Sequence, residues 1–364
     1  MGTVAHGGRI PEDRGSVLPV SLILGVDTSC DDTGVGLVRF EGGTVVANVV
    51  ASQTAVHAPF GGVVPERASR EHLAVIDGVL KRALIDADAK LDQVQAVAAT
   101  YGPGLVGALL VGLTWAKTLA WSRDLQFIAV HHLEGHIASA DASDAPGGES
   151  RAEVPELCLV ASGGHTSLFR THPSDATVEL GRSRDDAAGE AFDKVARLLG
   201  LPFPGGPALS ALAEGGDPDA YPLPLPLRGQ SGYDFSFSGL KTAVAVLLER
   251  TPNADPADVA ASFERTVVDS LLGTLRRAAT NEGISSVVVV GGVAANRRLR
   301  AALQGSGLVI RMPPTSLATD NGAMIALAAR SRLKRGTVTS DWTRDAAAYL
   351  PLAEASVGPD GRDR

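Results

Sequence analysis

The sequence has few of the features that mark exported or membrane-bound proteins. Cysteine occurs only at positions 30 and 158, which is too few for a disulfide framework and too widely spaced to indicate a cysteine-based metal site. No apolar run reaches the roughly 20 residues that a membrane-spanning helix needs, and residues 1–20 lack the continuous apolar region of a signal peptide. We therefore expect a cytoplasmic protein that makes no membrane contact.

The chain also lacks an excess of basic residues. It carries 33 Lys and Arg against 41 Asp and Glu, which gives a formal charge of −8. Because contacts with phosphate need Lys or Arg, an RNA partner would have to meet a local basic patch or bind through a second protein. Candidate patches are Arg67 with Arg70, the group Arg297, Arg298 and Arg300, and residues 330–336.

Aromatic residues make up only 4% of the chain, whereas glycine occurs 41 times and proline 21 times. This balance favours tight turns and close approach of backbone to ligand, as in nucleotide-binding α/β proteins. A length of 364 residues exceeds the roughly 250–300 residues at which single cores stop growing. Two lobes are therefore expected.

The order of predicted elements is repeated. Apolar runs at 21–29, 34–40 and 42–52 predict an antiparallel meander, followed by a helix near 66–85, a strand at 94–100 and a buried helix at 105–121. A second round of strand, glycine-rich turn, strand and helices runs from 156 to about 300. This order resembles the actin, sugar kinase and Hsp70 (ASKHA) class of α/β fold, in which the active site lies between two ribonuclease-H-like lobes.

The predicted boundaries follow from this repeat. Lobe I comprises residues 21–133 and is completed by 316–338, and lobe II comprises 134–315. Residues 1–20 and 341–364 have no sustained periodicity, so we expect a disordered N-terminal tail and a flexible C-terminal tail.

A metal site is suggested by the segment HHLEGH. His132 and His136 are four residues apart, which on a helix puts both imidazoles on one face; two packing or surface histidines are the alternative. The HHLEGH segment does not match the metalloprotease helix pattern, because Leu133 stands where that pattern has its Glu. Asp320 is the candidate third ligand, or alternatively a helix N-cap. Two His and one carboxylate would leave positions open for substrate and would suit iron or zinc.

Two polar, glycine-rich turns are further candidates. Residues 25–34 place Asp27, Asp31 and Asp32 between two apolar strands, either for function or to stabilise the turn itself. The turn Val160, Ala161, Ser162, Gly163 and Gly164 offers backbone N–H groups to an anion such as phosphate. No glycine-rich segment has the Lys and Ser/Thr of a Walker A loop.

Ordered motifs now indicate a family. DTSCDDTG, PFGGVVPERASREH, GPGLVGALLVG, HHLEGH, LVASGGHTSL, DDAAGEAFDKVARLLG, FPGGP, FSFSGLKTAV, GGVAANRRLR and TDNGAMIA resemble the successive motifs of TsaD proteins, once described as glycoproteases, across residues 22–330. The resemblance implies transfer of a threonylcarbamoyl group from L-threonylcarbamoyladenylate to N6 of adenosine 37 in tRNAs that read ANN codons, with release of AMP.

The resemblance also implies roles for individual residues. His132, His136 and Asp320 would hold one divalent metal ion per subunit, with Fe²⁺ favoured over Zn²⁺. The adenylate would be bound by Val160, Ala161, Ser162, Gly163, Gly164, Asp193, Gly206 and Asn296. Asp27 or Asp31 is a candidate acceptor for the proton of the attacking amine.

The chain departs from the family at three positions. Asp27 and Asp32 stand where relatives usually have Glu, so each carboxylate sits one methylene closer to the backbone. Ser210 stands where many relatives have an acidic residue that contacts the substrate. Any role that depends on reach is affected at Asp27 and Asp32, and Ser210 is left out of the expected site.

The implied partners are tRNA, a TsaB-like paralogue and a TsaE-like ATPase, with a TsaC-like enzyme supplying the adenylate. Two other functions fit a fold of this class: an ATP-dependent metabolite kinase and a non-catalytic assembly subunit. A kinase would bind Mg²⁺ through carboxylates, phosphates and water and has no need of a histidine pair. An assembly subunit would have no use for the three ligands.

Overall fold

The structure is a computed structural model that describes residues 21–142, 154–172, 177–336 and 340–352. The predicted N-terminal tail, 1–20, and the last part of the predicted C-terminal tail, 353–364, lie outside the described residues. The rest forms two lobes, each built on a five-stranded sheet.

The first sheet confirms the predicted meander. Its strands are β1 Leu22–Asp27, β2 Asp32–Arg39, β3 Val45–Ser52, β4 Val94–Gly102 and β5 Gln126–His131, in the order β3-β2-β1-β4-β5. β1, β2 and β3 pair antiparallel, while β4 and β5 run parallel to β1. Central strands covered on both faces need continuous apolar runs, and all six residues of β1 are buried.

Helices cover both faces of this sheet. They are α2 Pro65–Asp86, α3 Val106–Ser122 and, from the far end of the chain, α10 Gly322–Lys334. A short helix, α1 Thr54–His57, follows β3. Alternate residues of a strand point to opposite faces. Leu22 and Leu24 accordingly join the core under α2 and α3, whereas Ile23 joins the core under α10.

Two glycines let α10 approach the sheet closely. A Cβ added at Gly36 would lie 2.2 Å from the backbone nitrogen of Ala323, and one added at Gly322 would lie 2.3 Å from the nitrogen of Gly36. No side chain fits at these distances. The start of α10, and the turn that precedes it, are therefore fixed against β2.

The second sheet repeats the topology of the first. Its strands are β6 Glu156–Ala161, β7 Thr166–Thr171, β8 Val178–Arg182, β9 Ser286–Val290 and β10 Val309–Arg311, in the order β10-β9-β6-β7-β8. Its helices are α5 Ala188–Leu198, α6 Gly205–Ala213, α7 Ser238–Arg250, α8 Pro256–Glu282 and α9 Arg297–Gln304. Short 3₁₀ turns occur at Ala58–Phe60, Leu91–Gln93, Gly292–Ala295 and Thr315–Leu317.

Helix α4, His132–Ser139, lies between the lobes. It packs on α10 of the first lobe, while its Leu133 and Ile137 join a core with Val160 and Val288 of the second sheet. The boundary expected after residue 133 therefore falls inside a helix that belongs to both cores.

Residues 341–352, which belong to the predicted C-terminal tail, pack against both lobes. Asp341 N donates to Phe127 O, and Ala347 N donates to Tyr101 O, while Leu352 is buried beside α4. We call residues 340–352 the C-terminal strap. Most of its hydrogen bonds use backbone groups, so no side-chain periodicity marked it in the sequence.

No helix among the described residues has the length and apolar character needed to cross a membrane.

Candidate active site between the lobes

Three predicted metal ligands meet at the junction of the lobes. His132 and His136 lie one turn apart on α4, and Asp320 reaches them from the turn before α10. Asp320 Oδ1 lies 3.5 Å from Nε2 of His132 and 3.2 Å from Nε2 of His136. One ligand atom from each residue falls within 4.8 Å of the others, so the group could hold one metal ion.

Several polar atoms of this group are buried without a hydrogen-bond partner. Both ring nitrogens of His136 and Nδ1 of His132 form no hydrogen bond with the described residues. Nε2 of His136 is close to Asp320 but is not aligned for a hydrogen bond. Buried polar atoms are normally satisfied, and imidazole nitrogens facing one carboxylate suit a borderline-soft divalent metal. The residues therefore fit such an ion.

The local sequence fixes α4. His131, the last residue of β5, caps the helix because its Nδ1 accepts a hydrogen bond from Leu133 N at 3.1 Å, and its Nε2 lies 2.9 Å from Leu350 O of the C-terminal strap. Glu134 on α4 pairs with Arg332 on α10, whose Nε is 2.8 Å from Glu134 Oε1. Both contacts hold the two histidines toward α10.

Asp320 is not the N-cap of α10. The adjacent Asn321 fills that role, because its Oδ1 accepts a hydrogen bond from Met324 N at 2.9 Å. Asp320 is therefore left to face the histidines, and its side chain is 30% exposed.

The charges of the group are coupled. Burial alone would lower the pKa of His132, but the carboxylates of Asp320 and Asp27 outweigh it and raise that pKa to about 9. Burial would raise the pKa of Asp320, yet the neighbouring histidines hold it well below its usual range. Burial, together with His132 and His136, lowers the pKa of His165 to about 4.

The polar turn after β1 faces this group. Asp27 Oδ1 lies 3.5 Å from Nδ1 of His132 and accepts a hydrogen bond from Thr100 Oγ1 at 2.5 Å. Asp27 Oδ2 accepts another from Ser29 Oγ at 3.1 Å. The Asp27 carboxylate is thus held by two hydroxyl groups and faces His132, a predicted metal ligand.

Asp32, on the same turn, has a raised affinity for protons. Burial raises its pKa to about 6, with the carboxylates of Asp31, Asp320 and Asp27 contributing and a hydrogen bond from Ser52 opposing. One face of the cleft therefore carries four carboxylates, those of Asp27, Asp31, Asp32 and Asp320. A bound cation would offset their negative charge.

A buried network behind the turn was missed from the sequence. Nδ1 of His72 lies 2.7 Å from Thr33 Oγ1, and Nε2 of His72 lies 3.0 Å from Cys30 O. Gln53 joins His72 to His57, with 3.0 Å between Gln53 Oε1 and His57 Nε2. His72 ends the PFGGVVPERASREH segment, whereas His57 ends α1 and Gln53 directly precedes it. Spacing alone did not connect them to the turn.

The glycine-rich turn after β6 lies on the opposite side. Val160 and Ala161 are buried in the strand, whereas Gly163 and Gly164 are exposed, with nothing within 4 Å of the space where a side chain would lie. Ser162 N donates to His165 O at 2.8 Å and closes the turn. The ring of His165 lies 6.5 Å from that of His132, so this turn borders the metal group.

The other predicted adenylate residues lie on helices α5 and α6 of lobe II and at the start of α9. Asp193 Oδ1, on α5, accepts hydrogen bonds from the first two backbone N–H groups of α6, those of Gly205 and Gly206, at 2.8 and 3.3 Å. Asn296 caps α9 and donates through Nδ2 to Glu264 at 2.6 Å and to Ser210 at 3.0 Å.

These residues are separate from the metal group. No hydrogen bond joins Asp193, Gly206 or Asn296 to the metal group within the parts of the chain that the structure describes. Glu264 was not predicted, because it occupies one position in a long amphipathic helix. In the structure it is the buried carboxylate that neighbours Ser210.

Solved structures share the fold at low sequence identity. Component A of the (R)-2-hydroxyglutaryl-CoA dehydratase of Acidaminococcus fermentans is 17% identical with a TM-score of 0.52, covering 85% of this chain and 99% of that one. HypF of T. kodakarensis is 14% identical with a TM-score of 0.56, covering 88% and 49%. Fold and site together define a two-lobed ASKHA-type protein with a candidate metal centre in its cleft.

Closer relatives give the family. A family model described as TsaD, tRNA N6-adenosine threonylcarbamoyltransferase, matches residues 44–327. Proteins of that name from Thermus thermophilus and Thermodesulfovibrio yellowstonii are 53% and 46% identical over 333 and 341 residues, covering 92% and 91% of this chain and 99% and 100% of theirs. The chain belongs to the TsaD family of transferases.

Proposed function

We propose that this chain transfers the threonylcarbamoyl group from L-threonylcarbamoyladenylate to N6 of adenosine 37 in tRNAs that read ANN codons. The observation that carries this proposal is the group of His132, His136 and Asp320, which sits at the lobe junction with buried, unpartnered ring nitrogens in a chain that matches its relatives over nearly their whole length.

His132, His136 and Asp320 would hold one divalent metal ion, and we favour Fe²⁺ over Zn²⁺. When bound, such an ion supplies Lewis-acid polarisation and offsets negative charge. Asp27 orients the His132 ring, because its carboxylate faces Nδ1 while Asp320 faces Nε2 on the other side of the ring. Fixed orientation of a ligating histidine by a carboxylate is a common requirement of metal sites.

The donor is a mixed carbamic–phosphoric anhydride, so its leaving group is already activated. The protein has mainly to position the reactants and stabilise charge. The backbone of Val160, Ala161, Ser162, Gly163 and Gly164 would hold the phosphate, and Asp193, Gly206 and Asn296 the nucleoside part of the adenylate. Exposed Gly163 and Gly164 leave their N–H groups accessible to an anion.

The transfer step balances as an acyl substitution. The N6 amine attacks the carbamoyl carbon, a C–N bond forms, the C–O bond to phosphate breaks, and AMP leaves with that electron pair. The amine proton passes to a carboxylate. Of the two candidates we favour Asp31, since Asp27 is engaged with Thr100, Ser29 and His132.

We further propose that the reaction takes place in the cytoplasm with a TsaB-like paralogue and a TsaE-like ATPase as partners and a TsaC-like enzyme supplying the adenylate. The formal charge of −8 supports a need for partners in RNA binding.

The test is a transfer assay with purified protein, threonylcarbamoyl-AMP and unmodified tRNA, with and without these partners. We expect wild-type protein to modify the tRNA and His136→Ala to lose both metal and activity. His172→Ala, which changes a histidine just beyond β7, is the matched control and should behave as wild type. Transfer by His136→Ala at the wild-type rate would refute the metal mechanism, and ATP-dependent phosphorylation of a small metabolite would favour a kinase.

A further inference from the structure

A cavity of about 520 Å³ opens between the lobes next to Asp193. One wall comes from lobe I, from the 3₁₀ turn Ala58–Phe60 and Gly61, and the other from lobe II, including Arg197 and Phe203. The guanidinium of Arg197 donates to Gly61 O, so the two lobes touch at this cavity. Its size falls within the roughly 300–1,000 Å³ of small-molecule sites.

The cavity wall carries an exposed aromatic ring that is not part of a hydrophobic core. Phe60 is 53% exposed, and the guanidinium carbon of Arg67 lies 4.6 Å from the centre of its ring. Unstacked RNA bases are recognised by stacking on aromatic rings and guanidinium planes. Phe60 with Arg67 is this kind of platform.

The platform is connected to the predicted proton acceptor. Gln53 N donates to Asp31 O at 3.2 Å, and Gln53 Oε1 lies 3.0 Å from Nε2 of His57, the last residue of α1. The 3₁₀ turn that bears Phe60 begins at the next residue. The segment that bears Phe60 thus follows directly on residues hydrogen-bonded to the polar turn, and Asp193 lines the same cavity as Phe60.

The charge around the cavity also suits RNA. Arg67 and Arg197 are both exposed at its edge, on a chain whose formal charge is −8. Local positive charge beside a stacking surface matches the sugar–phosphate backbone on either side of an unstacked nucleotide.

We propose that this cavity receives the target adenine of the tRNA anticodon loop, unstacked from its neighbours, with Phe60 as its stacking platform. This inference rests on the proposed function. The adenine ring of the adenylate donor could stack on Phe60 in the same way. The experiment distinguishes these two ligands.

The experiment uses two unmodified anticodon stem-loops that differ only at position 37, one with adenosine and one with an abasic ribose. Their dissociation constants are measured with the protein and the partners used in the transfer assay. We expect wild type to prefer the adenosine loop roughly 10-fold, as a single stacked base provides. Phe60→Ala should bind both loops equally, and Phe60→Tyr should restore the preference.

Val309→Ala is the matched control, because Val309 is an exposed apolar residue on β10 in lobe II, and it should keep the preference. Phe60→Ala should also leave KM for the adenylate unchanged. An unchanged preference in Phe60→Ala, or a raised KM for the adenylate alone, would overturn the proposal while transfer itself persists. Failure of the proposed function would instead appear as no transfer by the wild type.

Discussion

Asp27 and Asp320 approach His132 from opposite sides of its ring. Asp27 Oδ1 lies 3.5 Å from Nδ1, and Asp320 Oδ1 lies 3.5 Å from Nε2. Asp27 is the last residue of the first strand, β1, and Asp320 lies in the turn before the last helix, α10. His132 is therefore oriented by residues from both ends of the fold.

The first prediction concerns this pair. Asp27→Asn keeps the size of the side chain but removes the charge that orients His132, so we expect metal affinity to fall roughly 10- to 100-fold. Metal titration of the chelated protein measures the loss. Asp31→Asn, on the same turn, should leave metal affinity near wild type and lower the transfer rate instead. Equal metal affinity in Asp27→Asn and wild type would show that Asp27 has no orienting role.

The second prediction concerns pH. In metal-free protein the pKa of His132 is raised from 6.5 to about 9, so the protonated form is favoured by folding. This contribution to stability is complete below about pH 6.5 and is lost as pH rises to about 9. Urea denaturation in the presence of a chelator should show a falling free energy of unfolding across this interval. Asp320→Asn should reduce this pH dependence, because Asp320 carries the negative charge that raises the pKa of His132 most.

Metal binding should show the opposite trend over the same interval. A metal ion must displace the proton from His132, so its affinity increases as pH approaches 9. Isothermal titration at pH 6.5 and pH 8.5 checks this. An affinity that does not change with pH would mean that His132 is not a ligand.

The third prediction concerns the C-terminal strap. Truncation after residue 336 removes the backbone partners of Phe127 and Tyr101, the partner of His131 and the buried Leu352. Loss of one buried leucine side chain alone costs about 2–5 kcal/mol, so denaturant unfolding should show at least this loss. Metal affinity should fall too, because His131 caps α4. Truncation after Leu352 removes none of these contacts and is the control.

The fourth prediction compares two glycines. Gly36→Ala puts a Cβ 2.2 Å from the backbone of Ala323, and overpacking of this kind costs about 1–3 kcal/mol. It should also weaken metal binding, since α10 carries the turn with Asp320. Gly78→Ala, inside α2 with nothing within 4 Å of the new methyl group, should raise stability by about 0.5–1 kcal/mol. Thermal unfolding of the two variants, with and without metal, tests the expected loss of stability in Gly36→Ala and the expected gain in Gly78→Ala.

Much of the fold could be predicted because its strands are continuous apolar runs. β1, β4 and β6 are buried on both faces, and long helices such as α8 have clear periodicity. The histidine pair could also be found, since its members share one helix and their geometry depends only on local spacing.

What could not be predicted depends on contacts that spacing does not encode. Asp320 and Asn321 are both good N-cap residues, so sequence could not decide which caps α10 and which faces the histidines. His131 is adjacent to His132 but serves as a cap rather than a ligand. Glu264 and His72 act through partners far away in the chain, and the strap binds mainly through backbone atoms.

The placement of α10 has a consequence for synthesis. The face of the first sheet that includes Ile23 and Val38 is covered by α10, which ends at Lys334, whereas the second sheet and its helices are complete by Arg311. Domains usually fold in the order in which the ribosome releases them. Here the lobe that emerges first keeps an uncovered apolar face until nearly the whole chain has been made, so the second lobe can finish folding before the first.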